Sequence, residues 1–230
     1  MPNHPILRTV KYVAALVAAA TLSLAAAVPA HADPDVEGVE QAPLKNPAGP
    51  FCVHHLQPQI GLSAPQPLRS VSKPKRVCYQ SATEAIKDAT GGAITDIPAD
   101  GKGLGSPEFV ARIKAHNASV ERMRAASSDA STAASAASYV IGAIFQLEWY
   151  EGQSDYFSAP SWCDNGAAFS VDMYGQWWDN RTSSVQMYGN CGAILYQFPG
   201  FQGDTYSVGT GFYEPYLGDF DNRTSSMWMF

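Results

Sequence analysis

From Tyr139 to Phe230 the apolar positions fall in short aromatic-rich runs broken by Gly, Pro, Asn and Asp, with no helical periodicity. Runs of this kind predict closely spaced short strands and an all-β domain, most simply a Greek-key sandwich. Upstream the pattern is different. Phe51-Cys52-Val53 and Val77-Cys78-Tyr79 are brief apolar runs centred on cysteines, and the Pro/Ser/Gln/basic stretch between them reads as loop. Ser81-Ala82-Thr83-Glu84 is a capping box opening a helix with Ala85, Ile86 and Ala89 on its apolar side, stopped by Gly91-Gly92. Ala93 to Ile97 is expected as a strand ended by Pro98, giving a small α+β module over 51–98. Over 99–138, Ser106-Pro107-Glu108 starts a second helix running to about Ala126, with Phe109, Ile113, Val120 and Met123 on one side. Arg112, Lys114, Glu121, Arg122 and Arg124 read as its solvated face, and the Ala/Ser run from Ser127 to Ser138 as a linker.

The C-terminal region repeats itself. Asp179-Asn180-Arg181-Thr182-Ser183-Ser184 recurs 42 residues later as Asp221-Asn222-Arg223-Thr224-Ser225-Ser226. The match extends outward, pairing Tyr174 with Tyr216, Trp178 with Phe220, Met187 with Met229 and Tyr188 with Phe230. A second signature, aromatic-x4-aromatic-x-Gly, reads Phe145…Tyr150-x-Gly152 and Tyr196…Phe201-x-Gly203, with Gln146 and Gln197 after the first aromatic. Two tandem structural units are therefore predicted, the first carrying about nine extra residues around Cys163.

Composition bounds the rest. Arg8 and Lys11 precede an apolar run from Tyr12 to Val28, and Ala30-His31-Ala32 fits a cleavage site, so 1–32 reads as a secretory signal, with an uncleaved anchor as the alternative. The polar, proline-rich 33–50 reads as a disordered leader. Secretion makes the four cysteines a disulfide set. Of three possible connectivities, Cys52–Cys78 with Cys163–Cys191 keeps each pair within one region. From Tyr139 on there are ten acidic residues against Arg181 and Arg223 alone. That sign disfavours nucleic acid and anionic lipid, so neither is expected as a partner, and it suits a cation.

Taken together, the two repeated signatures resemble the βγ-crystallin Greek-key domain over 139–230, and its secreted microbial branch in particular. The resemblance implies two motifs, each with a calcium loop of the form Asn/Asp-Asn/Asp-x-x-Ser/Thr-Ser. It implies ligands at Asp179, Asn180, Arg181 and Ser183, and at Asp221, Asn222, Arg223 and Ser225, the arginines through carbonyl oxygen only. Gln146 and Gln197 would donate backbone carbonyls crosswise between the motifs. Oxygen ligands of this kind suit calcium, and with so few carboxylates both sites would be weak, ~10⁻⁴ M or somewhat tighter. The same residues also make good turns, and Asn117, Asn180 and Asn222 stand in glycosylation sequons.

No catalytic pattern accompanies these loops. No histidine follows His116, and there is no His-Glu-x-x-His or Gly-x-Ser-x-Gly. His54 and His55 would point to opposite faces of a strand. Trp149, Trp162 and Trp177 are candidates for exposed rings that could stack on sugars or peptide. The expectation is a secreted, non-catalytic calcium-binding protein. An inhibitor of an extracellular metalloprotease, using 158–169 as its loop, and a lectin for cell-surface polysaccharide are the alternatives.

Overall fold

The computed structural model describes residues 50–61, 74–126, 138–164 and 166–230. The signal, nearly all of the leader, most of the Ala/Ser linker and Asn165 lie outside them. Eleven strands are described: β1 (Phe51–His55), β2 (Gln59–Ile60), β3 (Lys75–Tyr79), β4 (Tyr139–Leu147), β5 (Glu151–Ala159), β6 (Ala167–Asp172), β7 (Ser184–Met187), β8 (Ala193–Phe198), β9 (Gln202–Val208), β10 (Tyr213–Glu214) and β11 (Ser226–Met229). Two helices, α1 (Ala82–Ala89) and α2 (Pro107–Ala126), precede β4.

The strands form two sheets in the orders β10-β7-β4-β5-β1-β3 and β2-β6-β11-β8-β9. β4, β5 and β7 of the first repeat lie in one sheet while β6 crosses to the other; β8, β9 and β11 of the second repeat share a sheet while β10 crosses back. Each repeat is thus a Greek key whose third strand is exchanged, and the domain is an all-β two-motif sandwich. Ile144, Phe157, Phe169, Trp178, Met187, Leu195, Phe220 and Met229 fill the space between the sheets. The repeat pairs Trp178/Phe220 and Met187/Met229 meet in this core, whereas Tyr188 is buried and its partner Phe230 is 42% exposed.

β4 is buried on both faces through Phe145. Ile141 and Ile144 face the sandwich, while Val140, Ala143 and Phe145 join Tyr156 and Tyr188 in a second core under α1 and α2. The 51–98 stretch therefore packs on the Greek key. β1 pairs parallel with β5, with Phe51 opposite Ser154 and His55 opposite Ser158, and β3 closes on β1 so that Cys52 faces Cys78. The two-residue β2, inside a stretch expected to be loop, adds to β6.

Both disulfides join the cysteines paired within each region, Cys52–Cys78 and Cys163–Cys191. α1 has the expected Ser81 cap and buries Ala85, Ile86 and Ala89. Ala93 to Ile97 is not a strand. Ile94 and Ile97 are buried in the second core, and the segment is held by Thr83 Oγ1 donating to Ile97 O rather than by a ladder.

α2 departs from its predicted faces. Phe109, Ile113 and Val120 are buried as expected, but Met123 is half exposed, and Val110, His116 and Asn117 are buried as well. The charged face is only partly solvated. Glu121 accepts from Tyr139 Oη (2.6 Å) and Trp162 Nε1 (3.1 Å), Arg124 donates to Pro160 O, and Arg112 pairs with Asp96. Asn117 is a buried pin: its Nδ2 donates to Val140 O and its Oδ1 accepts from Val140 N (2.8 and 3.0 Å), which occupies the amide a glycan would need.

Candidate metal centre

The two hexads occupy equivalent loops and cross-link the motifs symmetrically. Asn180 N donates to Thr224 O (2.9 Å) and Asn222 N to Thr182 O (3.0 Å). Both asparagines adopt positive φ, 55° and 54°, a conformation Asn tolerates better than most residues. Within each motif the second serine locks the aromatic hairpin. Ser184 Oγ donates to Leu147 O and accepts from Tyr150 N, as Ser226 Oγ does with Phe198 O and Phe201 N. The signature glycines Gly152 and Gly203 have φ of 78° and 82°, and a Cβ on Gly203 would meet the Phe198 ring at 2.6 Å. The first serine also contributes its amide: Ser183 N to Phe145 O and Ser225 N to Tyr196 O, each 2.9 Å. These bonds set Gln146 and Gln197 beside the hexads.

One cavity of about 630 Å³ gathers Gln146, Asn180, Arg181, Ser183, Asp221 and Asn222, together with Leu147, Glu148, Trp149 and Glu151. Gln146 therefore lines the same cavity as the second hexad's Asp221 and Asn222, and as Ser183 of its own motif. Each hexad divides between two places. Asp179, Ser225, Gln197 and Arg223 do not line this cavity. Of these, Ser225 Oγ donates to Asn180 Oδ1 (3.3 Å) and Gln197 Oε1 accepts from Asp204 N (3.4 Å). The arginine side chains turn to other partners. Arg181 stacks on Trp177, and Arg223 lies over Phe220 and pairs with Asp204 at 2.7 Å.

Orphaned oxygens test the fit to calcium. Asp179 Oδ1 and Asp221 Oδ1 are buried and accept no hydrogen bond. A purely turn-forming aspartate would spend those oxygens on nearby backbone amides. Among the described residues no group of three or more His, Cys, Asp or Glu forms a metal cluster. The donors here are single carboxylates with amide, hydroxyl and carbonyl oxygens, a set that hard cations accept and soft ones do not.

Sequence reasoning missed Glu148 and Glu151, and named Trp149 only as a candidate exposed ring. Their counterparts are Pro199, Gly200 and Gln202, so the signal lay in where the copies differ. Of the three tryptophans considered, Trp149 is 67% exposed. Trp162 is braced: its ring stacks on Tyr139 at 4.4 Å and lies so close to Gly189 that a Cβ there would meet it at 2.4 Å. Trp177 is half-buried under Arg181. His54 and His55 do point apart, His54 to Asp155 (2.8 Å) and His55 to Asp88 (2.9 Å).

No family model and no curated protein matches. Solved structures do match, βγ-crystallin domains among them. The N-terminal domain of protein S is 24% identical, covering 39% of this chain and 94% of that one at a TM-score of 0.31. A βγ-crystallin domain from Flavobacterium johnsoniae is 17% identical (39% and 93% covered, TM-score 0.31), and one from Clostridium beijerinckii is 14% identical (39% and 97%, 0.31). The fold itself stands on the strand order and exchanged strands described above. No helix among the described residues is long and apolar enough to cross a membrane.

Proposed function

We infer that this is a secreted, non-catalytic Greek-key protein that binds calcium at its two duplicated loops. The observation that carries the reading is the matched pair of unpartnered, buried carboxylate oxygens, Asp179 Oδ1 and Asp221 Oδ1. Asp221 would hold one ion with Ser183 Oγ and carbonyls from the Gln146 and Arg181 stretches; Asp179, Ser225, Gln197 and Arg223 would hold the other. Calcium would supply positive charge where two loops from different motifs meet, and water would complete each shell. Secretion is supported by the N-terminal pattern of Arg8, Lys11, the apolar run and Ala30-His31-Ala32, and by two disulfides.

The role of the chain's own residues is to tie the halves. Thr182 and Thr224 carbonyls already receive the opposing asparagine amides, so neutralising the facing aspartates strengthens a joint that is in place. An ion present at about 100 times its dissociation constant stabilises by ~2.7 kcal/mol per site. For a chain of this size that is roughly 5–10 °C in melting temperature per site. Thermal melts of the mature protein in calcium and in EDTA test the reading. The upward shift with calcium should vanish in the Asp179→Ala/Asp221→Ala double variant, and identical curves in calcium and EDTA would refute it.

A further inference from the structure

Trp149 stands in the left-handed region (φ 59°, ψ 25°), which an L side chain enters at a cost, and its indole is 67% exposed. Its counterpart Gly200 takes φ 69° freely. The residue is fixed in place, since its N–H donates to Pro215 O at 2.9 Å. Core packing gains little from an exposed ring, and the turn would be better served by glycine. An exposed ring held at this turn is therefore free to meet a ligand outside the fold.

We propose that the cavity beside Trp149 is a carbohydrate site in which a sugar ring stacks on the indole. For its metal the proposal rests on the calcium reading above. The cavity, about 630 Å³, is within the size range of small-ligand sites. Beside Trp149 it is lined by Gln146, Asn180 and Asn222, by the acidic Glu148, Glu151 and Asp221, and by Arg181. Planar amides donate and accept, and carboxylates accept, which matches the alternating donors and acceptors of a hydroxyl-bearing ring. A neutral polyol is compatible with the local negative charge, whereas an anionic lipid surface would meet Glu148 and Glu151 on either side of the ring. So few side-chain donors around Asp221 leave calcium positions open to a vicinal hydroxyl pair. Pro199, Gly200 and Gln202 at the second motif supply no such platform, so one sugar site per chain is expected.

The experiment is co-sedimentation of the mature full chain with insoluble chitin, cellulose, mannan and bacterial peptidoglycan, in calcium and in EDTA. Vesicles of phosphatidylcholine and phosphatidylserine serve as a separate arm. Retention on at least one polysaccharide is expected, falling roughly tenfold or more in Trp149→Gly while its melting temperature is no lower than that of the parent. Trp149→Phe should keep part of the retention. Absence of retention on all four, retention unchanged in Trp149→Gly, or sedimentation with vesicles alone would overturn the proposal. Retention that survives EDTA, in a protein whose melting curve ignores calcium, would remove the metal and leave the sugar site standing. A calcium-dependent melting shift without retention would do the reverse.

Discussion

Tyr156 and Ser207 occupy the same place in the two hairpins, opposite Ala143 and Ile194 respectively. Tyr156 is fully buried beneath the N-terminal module, and Ser207 is exposed. One residue earlier the contrast is sharper. Asp155 is buried against His54 and Arg76 from β1 and β3, where the second repeat has the half-buried Tyr206 packed on the sandwich core. The shared face of the repeats makes one sandwich, and the differing positions record what each repeat adds. The first repeat takes on β1, β3 and the helices on one side and an acidic, tryptophan-bearing cavity at one end. The second keeps simpler turns and a solvent-facing hairpin.

The most drastic way to break the contrast is to express 139–230 alone. Phe145, Tyr156 and Tyr188 would lose their cover, each worth roughly 1.5–3 kcal/mol when buried. The fragment should aggregate or bind a hydrophobic dye strongly. A monomeric fragment melting like the full chain would show that the outer core contributes nothing.

Next in size is the buried ionic group. Arg76 Nε and Nη2 donate to Asp155 Oδ2 and Oδ1 (2.9 and 3.3 Å). Burial alone would raise the Asp155 pKa, but His54 and Arg76 together hold it below the ordinary carboxylate value. Its contribution is therefore present above the unfolded pKa of about 3.9 and lost as pH falls through the lower folded value. Asp155→Asn should cost several kcal/mol, since it leaves Arg76 without its countercharge, and should flatten stability below about pH 4. Urea melts between neutral and acid pH measure both. An unchanged acid limb in the variant would place the acid sensitivity elsewhere.

Asn117→Ala comes third. It strips the Val140 amide and carbonyl of their partners, a loss of roughly 1–3 kcal/mol, read as a lower urea midpoint at unchanged slope. The native chain should also carry no glycan at this sequon when made in a glycosylating host, which intact mass measurement checks.

How far the sequence disclosed this contrast follows from what repetition preserves. Trp178 with Phe220, Met187 with Met229 and the two hexads recur because both motifs need them, so the inner core and the loops were legible. The outer partners were not. β1 pairs in parallel with β5 about 100 residues away, and such pairing leaves no local pattern. β2 is two residues long and has no period to detect. Ala93 to Ile97 was expected as a strand, yet its buried residues Ile94 and Ile97 stand three apart and pack into the second core from a loop. Alignment on identity also hid Glu148 and Glu151, which stand where the second repeat has Pro199 and Gln202, whereas Trp149 was legible as an exposed ring. The division of each hexad, Ser183 meeting Asp221, needed three dimensions.

The central claim is that the duplicated loops are two calcium sites, the first the more acidic through Glu148 and Glu151. Calorimetric titration of the mature protein with calcium tests it most directly. The account predicts two ions per chain, one tighter; Asp221→Ala should remove the tighter and Asp179→Ala the weaker, each leaving the other. No binding heat with the folded protein at millimolar calcium, or a stoichiometry untouched by both substitutions, would contradict it.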